Sequence, residues 1–268
     1  MPGRPSSQDE RIDLSDYFET LFHGPAAHLA DRFAFNAGET NGIACSDLTD
    51  PGALKRLLDS YAHKRFPDND LRSAASFWAQ WYLGFLIPPL VLLASAAGTE
   101  IPADPASVRL VLDGDDQPLR FIFTQTEANA VDAGACAFER SAAFMERHLS
   151  PLVFSFAARS GVSAKVFWMS AAVILDYTND VFLGPGHFDF KSLTQERFLP
   201  NGQRNPLFGP YRPSGSEATR TRRICCMRYN LDGIERCPDC PLKPTISGKR
   251  KERPGLVGVL EKPTDRIT

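Results

Sequence analysis

From Ser15 apolar positions recur at helical spacing as far as Gly24-Pro25, and Asp50-Pro51 opens a second amphipathic run with a capping carboxylate and a proline at the first helical position. Both runs predict helices. The next apolar stretch, SAASFWAQWYLGFLIPPLVLLASAAGT, is uncharged throughout. Pro88-Pro89 in its middle predicts one helix up to Ile87 and a second after the proline pair. SVRLVLD and LRFIFT then alternate apolar and polar residues around GDDQP, which predicts a β-hairpin over residues 107–124. Helical spacing returns over residues 137–148. Ser150-Pro151 predicts the cap of the following helix, which Gly161 ends, and Ser163 starts a last helix, closed by Gly184. Beyond Pro200 proline, glycine, serine and arginine dominate, so the chain leaves its main domain by an irregular connection. No repeat or heptad appears. The pattern gives an α+β protein: a mainly helical body with a small antiparallel sheet over residues 1–200, then a lobe over residues 201–268.

With 268 residues the chain can bury a substantial core without help from a metal. Its 43% hydrophobic and 23% charged residues exclude a disordered or fibrous class. The net charge of -2 hides an asymmetry, because residues 201–268 hold 14 Lys plus Arg against 7 Asp plus Glu. That lobe is basic, and the body carries the acidic excess. The start, MPGRPSSQDERIDLS, lacks a basic-then-apolar leader, which points to the cytoplasm and to reduced thiols. By length the long apolar stretch could span a membrane. The proline pair and the lack of a second such segment favour buried core helices, with peripheral attachment at the inner face of the cytoplasmic membrane left open.

Four of the six cysteines lie in RRICCMRYNLDGIERCPDCPL, residues 222–242. Cys225 and Cys226 are adjacent, and Cys237 and Cys240 follow with two residues between. Paired cysteines of this kind suit zinc and iron–sulfur centres alike. Adjacent side chains on extended backbone point to opposite faces, which strains a one-ion site and suits a wider two-iron cluster better. MRYNL, Asp232-Gly233 and IER predict a hairpin that returns Cys237 and Cys240 to the first pair. Its alternation would set Arg228 on the face of Cys226, with Arg222, Arg223 and Arg236 flanking the sulfurs. A four-thiolate cluster is negative and gains a further charge on reduction, so such arginines would tune it. A solvated basic face is the alternative for each.

This Cys-Cys-x10-Cys-x2-Cys pattern, preceded by arginines and followed by Pro-Leu, resembles that of the FhuF family of siderophore-iron reductases. The resemblance covers residues 222–242. It implies a [2Fe–2S] cluster on Cys225, Cys226, Cys237 and Cys240, a siderophore-binding body, and one-electron reduction of Fe(III) held by a siderophore, typically of hydroxamate type, in the bacterial cytoplasm. The chemistry is coherent. Hard siderophore oxygens hold Fe(III) far better than Fe(II), so one electron loosens the complex. The same preference demands a strong reductant, and four-thiolate [2Fe–2S] centres reach about -400 mV.

Other candidate chemistry is sparse. The histidines show no metal spacing, GPGH at residues 184–187 lacks a nucleotide fingerprint, and Cys45 and Cys136 read as small buried residues. Electrons must then come from an external donor such as a ferredoxin or a reductase. Trp78, Trp81 and Trp168 read as core, with a siderophore wall as the alternative. Two further readings compete: a zinc-stabilised module whose basic lobe contacts nucleic acid or an acidic protein, and an iron–sulfur redox sensor. Under the leading reading no nucleic acid is involved.

Overall fold

The computed structural model describes residues 11–18, 20–36, 38–132, 134–213 and 220–242. Strand β1 (Arg11–Asp13) leads into α1 (Ser15–Phe18), a single turn where the spacing predicts a longer helix. Aromatic packing explains the difference. The Phe18 ring lies 5.5 Å from Phe22, and 5.6 Å from Phe33 and from Phe35, which pulls the chain onto β2 (Phe33–Phe35) instead of letting it wind on. A 3-10 stretch, Gly24–Arg32, makes the connection.

After β3 (Ile43–Ala44), Asp50 caps α2 (Pro51–Arg65) by accepting the Ala53 N–H at 2.7 Å, as its sequence predicts. Helix α3 (Leu71–Ala97) is one helix of 27 residues and not two. Its interior prolines each cost about 3 kcal/mol through a lost hydrogen bond and a steric clash. Leu90, Val91 and Leu93 beyond them are 0% exposed, and burying each contributes about 1.5–3 kcal/mol. Continuing straight into the core therefore offsets the break. Gly98, at φ 68, then closes the helix in the left-handed conformation that glycine adopts without steric cost. The helix is long and apolar enough to cross a membrane, and its most apolar window is 100% buried inside the body.

Strands β4 (Val108–Leu112) and β5 (Pro118–Phe123) form the predicted hairpin, with Leu110 opposite Phe121. Its turn is fixed to the helices. Asp116, at φ 63, accepts from Lys64 at 2.7 Å and from Ser60, and its carbonyl accepts the Trp78 indole N–H at 2.8 Å. The protein is α+β as the pattern gives, with antiparallel pairing of β3, β4 and β5 in a sheet of order β2-β5-β4-β3, to which β2 adds one parallel edge on β5. Strand β6 (Glu127–Asn129) pairs antiparallel with β1.

Helix α4 (Ala137–Phe144), a π-helical turn (Met145–Leu149) and α5 (Ser150–Ser160) run on as one rod. Leu149 and Ser150 have helical dihedrals, so Ser150 is no cap, and its N–H bonds instead to the Met145 carbonyl. Helix α6 (Ala164–Val181) ends before Gly184, and α7 (Ser192–Gln195) follows. The core gathers around α3, where Trp78 and Tyr82 meet Phe156, Tyr82 meets Phe121, and Phe156 stacks on Phe167.

Candidate iron–sulfur site

The cysteine lobe is tied to the body by two seams. In the first, Arg212 N–H donates to the Thr221 carbonyl and Arg223 N–H to the Pro210 carbonyl, each at 2.8 Å, while Tyr211 pairs antiparallel with Arg222. Arg220 adds ion pairs to Asp176 and Asp180 of α6 at 2.5 and 2.9 Å. In the second seam, the start of α3 grips the loop between the cysteine pairs. Ser76 donates to the Cys226 carbonyl at 2.8 Å and Asn230 donates to Ser73 at 3.0 Å. Asn69 exchanges two hydrogen bonds with Asp232, at 3.1 and 2.9 Å.

These anchors replace the hairpin that the sequence predicts. Met227 sits at φ 66 and a 3-10 turn, Arg228–Asn230, follows, so strand alternation is lost at once. Asp232-Gly233 does turn the chain, with Gly233 at φ 72 and the Ile234 N–H on the Leu231 carbonyl at 3.2 Å. Leu231 is buried, and Ile224, Met227 and Ile234 pack on the main core.

Three of the four sulfurs gather. Cys226, Cys237 and Cys240 are 3%, 1% and 5% exposed and form a buried group of their own, while Cys225 is half-buried. Cys226 and Cys237 Sγ are 3.9 Å apart. Two thiolates at about 2.3 Å from one tetrahedral metal lie about 3.8 Å apart, so this pair suits a shared iron atom. Among the described residues no three His, Cys, Asp or Glu side chains close around a single ion. The donor set is all sulfur, which suits an iron–sulfur centre and zinc alike.

Electrostatics favours thiolate at Cys226. The hydrogen bond with Cys237 brings the Cys226 thiol down to about 6 against the opposing effect of burial, with Arg222 and Arg228 assisting. The same bond, followed by burial, pushes Cys237 up, so the pair shares one proton. Burial also raises Cys225. Of the four flanking arginines, Arg222 and Arg228 are each 6% exposed, whereas Arg223 and Arg236 lie on the surface. Arg222 donates from Nε to Asp239 Oδ1 at 2.7 Å and from its backbone to the Asp239 carbonyl at 2.8 Å, joining the strand before the first pair to the turn of the second. Burial opposes its charge, but Asp239, Cys226 and Cys237 hold it well above its usual range. Arg228 reaches the Glu235 carbonyl at 2.6 Å, and its backbone N–H bonds to Cys226. It thus lies beside Cys226 by a turn and not by a strand face. Arg223 stacks over Phe208 at 5.6 Å and Arg236 over Tyr229 at 5.4 Å.

Sequence reasoning missed Asp239, Asn69, Ser73 and Ser76. Only Asp239 had a local signal, a carboxylate inside Cys-Pro-Asp-Cys facing an Arg-Arg pair. Among the remaining residues singled out, Trp78, Trp81 and Trp168 are all core, and Trp168 also borders a cavity. Cys45 is buried and its thiol pushed up to about 12 by burial, whereas Cys136 is exposed, against expectation, because it stands at the open N-terminus of α4.

Comparison with known proteins agrees. The solved structures of aerobactin synthetase IucA from a hypervirulent pathotype of Klebsiella pneumoniae, one of them ATP-bound, are similar in fold at a TM-score of 0.52 and 12% identity. They align with 62% of this chain, which spans only 37% and 36% of theirs. A ferric siderophore reductase of Escherichia coli (strain K12) is 24% identical over 214 residues, 76% of this chain and 80% of the relative. The model of the FhuF 2Fe-2S C-terminal domain matches residues 222–242, which makes the lobe a [2Fe–2S] domain and removes the ground for zinc. That of the ferric iron reductase FhuF-like transporter matches residues 76–224, more than half of the chain, and with both matches the protein belongs to the FhuF family of iron reductases.

Proposed function

We propose that this chain is a cytoplasmic ferric-siderophore reductase that frees iron by one-electron reduction, with Cys225, Cys226, Cys237 and Cys240 as the four ligands of its [2Fe–2S] cluster. The observation that carries the reading is the buried sulfur group with its 3.9 Å Cys226–Cys237 pair, inside the segment matched by the [2Fe–2S] domain. Residues 1–200 serve as the siderophore-binding body and residues 201–268 as the cluster lobe. When bound, the cluster supplies a single electron at low potential. The chain's own groups set the conditions for that. Arg222 and Arg228 offset the negative charge of the sulfurs from buried positions. The Asp239 clasp and the Ser76 hydroxyl fix the two cysteine segments against each other and against α3. Half-buried Cys225 is the side open to exchange partners.

The substrate is Fe(III) in a siderophore, of hydroxamate type. After reduction its hard oxygens hold the softer Fe(II) weakly, and the metal leaves. An external protein such as a ferredoxin or a reductase replaces the electron, and peripheral contact with the inner membrane face is compatible with this. Anaerobic turnover of purified holoprotein with ferric hydroxamates, a chemical reductant and an Fe(II) trap tests the reading. Trap colour forming at a rate proportional to protein is the expected result. Colour at the rate of reductant alone would refute an enzyme and leave a redox sensor.

A further inference from the structure

Two non-glycine residues among those described have a positive φ. One is Asp116, in the turn between β4 and β5. The other is Met227, at φ 66, directly after the adjacent cysteines and before the 3-10 turn Arg228–Asn230. A side chain with a Cβ makes the left-handed conformation costly. Such strain persists only where surrounding contacts fix it, and it gathers at functional sites.

The strained backbone aims two successive N–H groups at sulfur. Met227 N–H donates to Cys225 Sγ at 3.3 Å, and Arg228 N–H bonds to Cys226. A left-handed residue followed by a helical one turns consecutive amides to the same side, a concavity that suits anions and iron–sulfur sites. Here it serves the first cysteine pair.

A second observation is how the body holds this backbone. Ser76, 1% exposed on α3 and 150 positions away in sequence, donates its hydroxyl to the Cys226 carbonyl at 2.8 Å. That carbonyl and the Met227 N–H belong to one planar peptide group. A donor on its oxygen fixes the plane, polarises the peptide and strengthens the N–H as a donor at the other end. The Ser76 hydroxyl thus reaches Cys225 Sγ through a single peptide. The neighbouring hold, Asn230 on Ser73 at 3.0 Å, joins the lobe to α3 without touching that peptide.

We propose that Ser76 is a positioning residue for electron transfer: through the Cys226–Met227 peptide it holds and polarises the N–H on Cys225 Sγ, and so raises the potential of a cluster on these ligands. The proposal rests on the four-ligand reading above. Reduction adds one negative charge, so a donor on a ligand sulfur stabilises the reduced form more than the oxidised one. This is a dipole effect, and it adds to the charges of Arg222 and Arg228. A higher potential eases loading by the external donor and leaves less driving force toward the ferric chelate. Ser76 sets that balance from the body, although it touches no sulfur.

The test reads holoprotein without siderophore. Ser76→Ala should keep the visible [2Fe–2S] spectrum and shift the reduction equilibrium against a reference mediator about threefold to tenfold toward the oxidised form, tenfold being about 59 mV. Ser76→Thr, which keeps the hydroxyl, should restore the equilibrium, and Ser73→Ala should leave it unchanged. In sequence only Met227 of the four methionines adjoins a ligand cysteine, so methionine labelled with heavy nitrogen singles out its amide. Pulsed EPR of the reduced wild type should show one strong coupling to that nitrogen, and Ser76→Ala should weaken it. An unchanged potential for Ser76→Ala would overturn the proposal, and an equal fall for Ser73→Ala would reduce Ser76 to an anchor. Both results leave the reductase reading standing. If Ser76→Ala does not fold, a wild type without the labelled coupling overturns the proposal on its own. A wild type without a [2Fe–2S] spectrum would bring down the four-ligand reading and the proposal with it.

Discussion

Of the 27 residues of α3, all but four are buried, and most of them are apolar. The cysteine lobe, residues 220–242, has one 3-10 turn as its regular structure, and its buried side chains are three cysteines, two arginines and Leu231. The two regions touch through Ser73 and Ser76 yet are held by different forces. The body is stabilised by removing apolar surface from water, a large and non-directional effect that needs no ligand. The lobe has too little apolar surface for that and relies on fixed links: the Arg222–Asp239 pair, the Asn69–Asp232 bonds and the sulfurs. A domain held in this way depends on its cofactor.

The largest expected effect breaks the lobe alone. Replacing any of Cys225, Cys226, Cys237 or Cys240 by alanine should abolish or cripple the cluster and reduction, while Cys45→Ser and Cys136→Ser keep the visible spectrum. Hydrogen exchange should rise mainly after Pro210 in the cluster-free variants. Exchange across α3 as well would show that the body leans on the lobe. The converse experiment cuts the body: Leu86, 0% exposed, changed to alanine should lose about 2–5 kcal/mol of global stability while folded molecules retain the cluster spectrum.

Next in size is the tuning of the lobe. A unit charge about 7 Å from the cluster interacts by about 2.4 kcal/mol at an effective dielectric of about 20, which is on the order of 100 mV for one electron. Arg222→Gln should lower the potential by up to that amount. Arg228→Gln should lower it less, because Arg222 faces both Cys226 and Cys237. Protein-film voltammetry on both variants reads the order, and an unchanged or raised potential for Arg222→Gln would remove the electrostatic role.

The smallest effect concerns the body. His148 is 2% exposed and bonded to Tyr82 at 2.8 Å, and burial depresses its pKa from 6.5 to about 3. The unfolded chain therefore binds a proton that the folded chain does not between these values, so the contribution is present above pH 6.5 and is lost as pH falls toward 3. One pH unit below the unfolded value the loss is about 1.4 kcal/mol. Denaturant melts at several pH values, with His148→Gln as reference, should show a shallower slope in the variant.

What the sequence made legible was local. The Asp50 cap, the β4–β5 hairpin and the left-handed end at Gly161 follow from neighbours within a few residues. The cysteine spacing was legible because adjacent thiols are rare in any other role. The continuity of α3 through Pro88-Pro89 was not, since it depends on the core that surrounds the helix. Nor was the parallel pairing of β2 with β5, which joins Phe33 to Phe121 across most of the body. In the lobe, Met227 at φ 66 broke the expected strand, and the anchors Asn69, Ser73 and Ser76 lie far away in sequence.

The most direct test is a single turnover. Holoprotein reduced anaerobically and freed of excess reductant is mixed with ferrioxamine B and an Fe(II) trap, and cluster absorbance and trap colour are followed together. Reoxidation of the cluster with one trapped Fe(II) per cluster is the predicted result. A cluster that stays reduced, or that reoxidises without trapped Fe(II), would contradict transfer of the electron to siderophore iron.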